Sequence, residues 1–287
     1  MSEDILEFVY SNYILSIKCE HVYIITDNKK KCFSMYMFLK QRVQVSLISV
    51  DEIKDEMFLL DKKIINILCF FKVCKKNFEV TNRVELSKNY CLYLEWNIDG
   101  YSKKIQAILN KIYTKAILTD YNQISSKNDR LEKYVNINDI IRIVSKSGTD
   151  ITFMIGSKAN KENCDMLSEK IIQLPGGEVF WLPKVGSCNG VLKNSYVSAT
   201  VQNDIIRDIS GEKTKEFSPI CEFGLGTNPN VKAINGLAFS EKAWLTCHFG
   251  IGSNIAMGGC YDLDFHYDIV IDEFVMFING EELKLNE

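Results

Sequence analysis

The sequence predicts an α/β fold, in which an N-terminal α/β domain with a largely parallel sheet precedes a strand-rich α+β domain. Two patterns lead to this prediction. Over roughly the first 120 residues, short apolar runs of the kind buried on both faces of a parallel sheet alternate with helix-like segments. Further along, thirteen of the sixteen glycines lie between Gly176 and Gly280, where they separate short strand candidates. We assign residues 1–130 to the first domain and residues 131–287 to the second.

The first domain is predicted to begin with a helix and to continue as alternating strands and helices. From Ser2 to Lys18 the apolar residues recur at helical spacing, and Ser2 is the predicted N-terminal cap. A β-branched run follows, and then a helix-like segment and further apolar runs. The predicted second helix is Cys32–Arg42, and the predicted strands are His21–Thr26, Val43–Val50, Lys63–Phe71 and Leu92–Trp96.

The pattern of the chain changes after Gly148. Before this glycine, spaced Ile, Leu and Val residues predict helices over Ile98–Tyr113 and Asp129–Ser145, with a polar loop over Asp120–Lys127. After it, runs bounded by glycine predict strands. These strands are Thr149–Ile155, Glu178–Leu182, Tyr196–Gln202 and Ile269–Phe277, and the Asn279-Gly280 pair is predicted to form a two-residue hairpin turn.

Composition argues against several classes of partner. The chain carries 34 basic and 37 acidic side chains, and its net charge of −3 is too nearly balanced to attract nucleic acid or an anionic membrane. We find no run of about eighteen apolar residues that could span a bilayer. The beginning of the chain lacks the basic region and cleavage site of a secretory signal. The ten cysteines are therefore expected to be reduced thiols, and the predicted location is the cytoplasm.

The scarce histidines give the first indication of chemistry. The sequence contains three of them, His21, His248 and His266, and the last two lie in the glycine-rich part of the chain. Asp268 follows His266 at a distance of two residues, so on a strand both side chains point to the same face. They can then converge on one ion. His248, from a preceding strand or loop, is a candidate to join them.

Glu178 and Glu222 lie in similar glycine-rich surroundings and add two anionic oxygen donors. Two imidazoles and three carboxylates suit a pair of divalent ions such as zinc, cobalt or manganese, with one carboxylate bridging. Taken singly, each residue is more typical of ordinary structure. These structures are an edge turn at Glu178, a buried carboxylate paired with a backbone amide or a lysine at Glu222, a hydrogen-bonded core histidine at His248, and a solvent-facing pair at His266 and Asp268. Their joint presence over only ninety-one residues favours a metal-binding second domain.

Six motifs, in order, resemble those of the aminopeptidase T family, also called the thermophilic metalloprotease or leucyl aminopeptidase family. The segments are Gly148–Phe153 (GTDITF), Pro175–Phe180 (PGGEVF), Glu222–Pro229 (EFGLGTNP), Glu241-Lys242, His248–Gly252 (HFGIG) and His266–Asp268 (HYD). The resemblance covers residues 148–287. It identifies the chain as similar to a short-form member, because the part before residue 148 is shorter than in the established peptidases.

The resemblance implies a metal-dependent hydrolase that cleaves a peptide or amide bond next to a free amino terminus with a metal-activated water. A peptide or aminoacyl small molecule would be the substrate, and a homodimer is expected because family members commonly form one. Glu241 and Lys242 become candidate catalytic residues. The ligands of two divalent ions would be Glu178, Glu222, His248, His266 and Asp268, with Glu222 as the candidate bridge.

Two departures from the family pattern leave other functions open. The longer family members carry a tyrosine seven residues after the motif histidine, where this chain has Ile255, and Gly250 replaces an alanine. One alternative is a mononuclear non-haem iron(II) ring-cleaving dioxygenase, for which His248, His266 and Asp268 would suffice. The other is a catalytically inactive binding protein on the same fold, and Ile255 is its main support.

Overall fold

The computed structural model describes residues 1–53, 64–70, 89–95, 102–165, 169–211, 217–234 and 239–285. The chain forms two compact units. The first contains Met1–Tyr121 and Cys164–Gly176, and the second contains Asn122–Asn163, Gly177–Gly236 and Ser240–Glu287. The second unit thus has an insertion that belongs to the first. The assignment of residues 1–130 and 131–287 to separate domains stays a prediction.

The elements are numbered in chain order over the described residues. The helices are α1 (Glu3–Val9), α2 (Lys29–Lys40), α3 (Lys103–Ile117) and α4 (Tyr121–Glu132). The strands are β1 (His21–Thr26), β2 (Gln44–Ser49), β3 (Ile64–Phe70), β4 (Tyr90–Glu95), β5 (Ile140–Ser145), β6 (Asp150–Met154), β7 (Asn160–Glu162), β8 (Ile171–Leu174), β9 (Glu178–Trp181), β10 (Asn189–Lys193), β11 (Val197–Gln202), β12 (Ile205–Gly211), β13 (Ile220–Gly226), β14 (Cys247–Gly252), β15 (His266–Ile271), β16 (Phe274–Ile278) and β17 (Glu281–Leu283). Short 3-10 turns occur at Val50–Glu52, Ser240–Lys242 and Ile255–Met257, and a π-helical turn occurs at Tyr10–Ile14.

The first unit is built on a five-stranded sheet in the order β2-β1-β3-β4-β8. All four neighbouring pairs are parallel. Ile65 and Ile67 on one face of β3 and Ile64 and Leu68 on the other are all buried, which explains why this strand is apolar except for Asn66. Helix α2 packs on β1 and β2.

The second unit contains two antiparallel sheets that pack face to face. Their strand orders are β12-β11-β10-β6-β5-β16-β17 and β15-β14-β13-β9-β7. The ring of Phe153 on β6 lies 4.9 Å from that of Phe223 on β13 and 5.6 Å from that of Phe249 on β14. Apolar side chains of both sheets meet in this core. The opposite face of the second sheet carries glycines and several charged side chains, beside a few apolar ones such as Phe180 and Val270.

The predicted fold class is confirmed, and so are most predicted elements. The strand His21–Thr26 has the predicted bounds, and the turn at Asn279-Gly280 joins β16 to β17 with positive φ at both residues. The predicted first helix is divided into α1 and a π-helical turn, and its Ser2 side chain makes no capping hydrogen bond. Residues 63, 71, 96 and 98–101 of the predicted elements lie outside the described residues.

The prediction for Asp120–Ser145 is wrong. A helix, α4, occupies the predicted loop, because Ile124, Asn128 and Leu131 are spaced to bury one face of an otherwise polar helix. The end of the predicted helix is strand β5, in which Ile141 and Ile143 alternate with more exposed neighbours. Tertiary packing decides both cases.

The predicted single strand Ile269–Phe277 is also wrong. It is two strands, β15 and β16, which belong to different sheets of the second unit. The break falls at Asp272-Glu273, where Glu273 adopts a φ of +46°. The prediction joined the apolar runs on either side of Asp272-Glu273 and so missed the turn between the two sheets.

The reduced state of the cysteines stays a prediction. All nine cysteines in the described ranges carry free thiols. Within those ranges, no helix combines the length and the apolar character needed to cross a membrane.

Candidate metal centre

The five predicted ligands lie on one sheet of the second unit. Glu178 begins β9, Glu222 lies on β13, His248 on β14, and His266 and Asp268 on β15. Side chains alternate between the two faces of each strand, so the core-facing neighbours, such as Phe223 and Phe249, leave the ligands on the opposite face. The structure therefore brings all five predicted side chains to one face.

Glycines on this face make room for the imidazoles. A Cβ on Gly224 would lie 2.2 Å from Cε1 and Nε2 of His248, and a Cβ on Gly250 would lie 2.7 Å from Cε1 of His266. Gly224 pairs with His248 across β13 and β14, and Gly250 pairs with both Glu222 and Asp268. Each imidazole therefore lies over a strand position where any side chain would displace it.

The five side chains form two groups that share Glu222. His248 Nε2 lies 3.3 Å from Glu178 Oε2 and 3.4 Å from Glu222 Oε1. His266 Nε2 lies 3.2 Å from Glu222 Oε2 and 3.3 Å from Asp268 Oδ1. Within each group one ligand atom of every residue lies within 4.8 Å of the others, close enough to hold an ion. Each oxygen of Glu222 faces a different histidine, as expected of a bridging carboxylate.

Unsatisfied polar atoms support the fit of this site to metal ions. Glu178 Oε2 and Glu222 Oε2, two of the oxygens that face the histidines, are buried and make no hydrogen bond within the described part of the chain. Buried polar atoms in native proteins nearly always have a partner. A bound ion would be such a partner for these oxygens. Oxygen and imidazole donors are also the ligands that zinc, cobalt and manganese accept.

The charges of the five candidate ligands compensate one another. Burial alone would lower the pKa of His248, but the contact with Glu222 and the charge of Glu178 raise it to about 9. Asp268 raises the pKa of His266 well above its usual range, and His266 in turn depresses the pKa of Asp268 despite its burial. Metal binding therefore has to displace protons from the histidines.

Lys242 and Glu241 lie on the 3-10 turn beside this face and are buried. Lys242 Nζ lies 2.6 Å from Glu178 Oε1, 2.9 Å from Glu162 Oε2 and 3.6 Å from Glu241 Oε1. These carboxylates raise the pKa of Lys242 well above its usual value, although burial opposes the shift. Burial, together with the charges of Asp268 and Glu178, raises the pKa of Glu241 well above its ordinary value.

Two groups near the site were not predicted from sequence. Glu162 ends the short strand β7 and pairs with Glu178 in the register of β7 and β9. Burial raises the pKa of Glu162 to about 7. Its surroundings, Asn160-Lys161-Glu162, look like any polar loop, so no signal in the sequence marks it.

The second group is the loop between β14 and β15, which holds His266. His266 Nδ1 donates to the carbonyl of Ser253 at 2.8 Å, which leaves Nε2 facing Glu222 and Asp268. Asn254 stabilises this loop by accepting from the backbone N–H of Tyr261 and donating to the carbonyl of Cys221. An asparagine next to a glycine-rich motif is a weak signal that could have been noted.

Ile255, at the position of the family tyrosine, begins the short 3-10 turn in this loop and is 50% exposed. The tyrosine that the loop does contain, Tyr261, donates its hydroxyl to Asp204 Oδ2 at 2.9 Å. The loop thus contains a phenol, but its hydroxyl is hydrogen-bonded to Asp204, which lies between β11 and β12.

Comparison with known proteins shows the fold but not a family. No family model matches the chain, and no curated protein matches it. The structure is similar to that of 2,5-dihydroxypyridine dioxygenase from Pseudomonas putida KT2440, with a TM-score of 0.69, 12% identity, and coverage of 98% of this chain and 96% of the other. It is also similar to AmpT (aminopeptidase T) from Thermus thermophilus, with a TM-score of 0.61, 12% identity, and coverage of 96% and 94%.

The chain has the fold of these two enzymes. Both likenesses extend over nearly the whole chain, although the motifs that resemble the aminopeptidase T family begin only at residue 148. The likeness of the first unit could not be recognised from its sequence.

Proposed function

We propose that the chain is a two-metal hydrolase that cleaves a peptide or amide bond next to a free amino terminus. The observation that carries the proposal is the position of Glu222 between two groups of ligands, each of which has its own histidine and its own second carboxylate. A site for one ion would need only one such group. The six motifs and the fold of AmpT support the choice of substrate.

Each candidate residue has a proposed role in this reaction. Glu178, Glu222 and His248 would hold one ion, and Glu222, His266 and Asp268 the other. Bound zinc, cobalt or manganese would lower the pKa of a water toward neutrality and polarise the carbonyl of the substrate. Glu241 is our candidate to accept the proton of that water, because it lies on the 3-10 turn beside the ligand face, next to Lys242, which contacts Glu178. Bound cations would favour the ionised form of this carboxyl. A cytoplasmic homodimer remains part of this proposal.

The first test is hydrolysis by the metal-loaded protein. Metal-free protein reconstituted with zinc, cobalt or manganese is expected to bind two ions per chain and to release the amine from aminoacyl anilides and dipeptides. Nα-acetylated versions of the same substrates should stay intact, because the proposal requires a free amino terminus. The proposal is wrong if no substrate of such a panel is cleaved by protein that holds two ions.

The second test concerns Glu241. Glu241→Gln is expected to lower kcat by about 10²- to 10⁴-fold, the usual contribution of a general base, while both ions stay bound. Glu282→Gln on β17, an exposed position outside the ligand groups, is the matched control and should leave kcat unchanged. Equal kcat values for the two variants would remove Glu241 from the mechanism.

A mononuclear iron(II) dioxygenase is the second candidate, and the higher TM-score to 2,5-dihydroxypyridine dioxygenase favours it. It would place His248, His266 and Asp268 around one ion, whereas the two histidines here fall in different groups, each with Glu222. Anaerobic loading with iron(II), followed by oxygen uptake on a dihydroxylated aromatic compound, distinguishes the two enzymes. Two bound ions without turnover of either substrate class would favour the inactive binding protein.

A further inference from the structure

Among the described ion pairs, Lys242 contacts one of the five candidate ligands, Glu178. Its side chain is 4% exposed, and its Nζ lies 2.6 Å from Glu178 Oε1. The other oxygen, Glu178 Oε2, lies 3.3 Å from His248 Nε2 and makes no hydrogen bond within the described residues. The lysine thereby occupies one oxygen of Glu178 and leaves the second to face the ligand group.

Glu162 is the second carboxylate that contacts Lys242. Its Oε2 lies 2.9 Å from Nζ and also accepts from the backbone N–H of Gly177 at 3.3 Å. The hydrogen bond from Gly177 ties the Glu162 carboxylate to the residue that precedes Glu178. Because the side chains of Lys242 and Glu162 are only 4% and 15% exposed, the geometry of this pair is better defined than that of a solvent-exposed ion pair.

The second ligand group lacks this arrangement. Among the described ion pairs, those of Glu222 and Asp268 involve histidines and no lysine or arginine. The side chains of His266 and Asp268 are also more exposed, at 24% and 23%, than that of Glu178, at 8%. The two groups are therefore supported in different ways.

We propose that Glu162 and Lys242 are a positioning pair that orients Glu178 toward its ion and so sets metal affinity in the Glu178 group alone. This inference rests on the proposed two-metal function. It gives Lys242 a role different from the catalytic one suggested by the motif resemblance, because the lysine acts through Glu178. Partners that orient ligands in this way typically change metal affinity by about 10- to 100-fold.

Positioning and simple electrostatics predict opposite effects when Lys242 is removed. A positive charge close to a cation site disfavours the cation, so loss of the charge alone should strengthen binding. Loss of orientation should weaken it. The double variant Lys242→Met/Glu162→Gln, titrated above the Glu162 pKa of about 7, removes one charge of each sign. The net charge of the site then stays unchanged, so the metal affinity of this variant reports on positioning.

The test is a titration of metal-free protein with zinc in competition with a chelating indicator, supported by the absorption spectrum of the cobalt form. Wild type is expected to bind two ions. The double variant should bind one of them about 10- to 100-fold more weakly and the other with unchanged affinity. The matched control is Lys161→Met/Asp129→Asn, which breaks an exposed ion pair of 2.8 Å with the same change of charge and should bind both ions as wild type does.

Each result decides the proposal. Equal affinities in the double variant and wild type, or equal weakening of both ions, would overturn it. If wild type binds two ions but the double variant gives either of these results, the positioning pair is refuted and the proposed two-metal hydrolase is not. If wild type binds no ions, both the positioning pair and the two-metal hydrolase are refuted. If the double variant does not fold, Glu162→Asp keeps both charges but withdraws the carboxylate from Lys242; unchanged binding of both ions by this variant would equally refute the positioning pair.

Discussion

Glu222→Gln is expected to remove both metal ions at once. Glutamine keeps the volume of the side chain but has no charge, and Glu222 contributes an oxygen to each ligand group at 3.4 Å from His248 and 3.2 Å from His266. Loss of the ions removes several kcal/mol of charge stabilisation, so hydrolysis should fall by on the order of 10³-fold or more. Metal content after dialysis and kcat/KM on an aminoacyl anilide measure the two effects.

Asp268→Asn is the companion variant for this prediction. Asp268 belongs to one group, so its replacement should weaken one ion and leave the ion held by Glu178, Glu222 and His248. A mononuclear iron site built from His248, His266 and Asp268 predicts the reverse order, in which Asp268→Asn is the more severe change. If Glu222→Gln retains its ions and Asp268→Asn loses them, the bridging role of Glu222 is refuted.

Gly224→Ala has the second large expected effect. The new methyl would lie 2.2 Å from two atoms of the His248 ring, so the ring has to leave its place over the strand. We expect a loss of about 1–3 kcal/mol in the free energy of unfolding, typical of an overpacked site, and at least about 100-fold weaker binding of the ion next to His248. Denaturant unfolding and zinc titration report these two quantities separately.

Gly186→Ala is the matched control for the added methyl. No atom lies within 4 Å of the new Cβ, although Gly186 has a φ of +81°. The left-handed backbone should cost about 1–2 kcal/mol of stability, similar to the loss at Gly224, but metal binding should not change. Similar metal affinities for the two alanine variants would mean that the glycine at 224 is not needed to seat His248.

The candidate site could be predicted because its chemistry is local in sequence. His266 and Asp268 are two residues apart, and a strand places such residues on one face whatever the rest of the fold. Glu222 and His248 are each followed by glycine two residues later, which marks positions where a side chain is excluded. These patterns predict the candidate ligands but not the metal ions, whose identity and number are proposals.

Glu162 and the loop that holds His266 could not be predicted in the same way. Glu162 reaches the site because β7 pairs with β9, and this pairing joins segments that are sixteen residues apart in register, Glu162 with Glu178. Cross-strand pairing depends on which strands become neighbours, and no pattern inside either segment specifies it. The hydrogen bond from His266 to the carbonyl of Ser253 depends in the same way on the closure of a loop.

The fold shows the same division. The continuous apolar runs of the first unit were sufficient to predict a parallel sheet, since strands buried on both faces need apolar residues throughout. Helix α4 was predicted as a loop because its sequence is mostly polar, and strand β5 was predicted as the end of a helix because its apolar run is short. The burial of Ile124, Leu131, Ile141 and Ile143 in the second unit decides the local structure there.

The sequence by itself therefore determined the α/β class, the strand-rich second half and the five side chains with metal-binding chemistry. The tertiary structure decided that Glu222 stands between two groups of ligands, that Lys242 and Glu162 back one of them, and that the chain returns to its first unit over Cys164–Gly176. The physical reason is the range of the interactions. Residue type and spacing fix which face a side chain takes on its own strand, whereas strand order and register, set by packing of the whole sheet, fix which side chains meet.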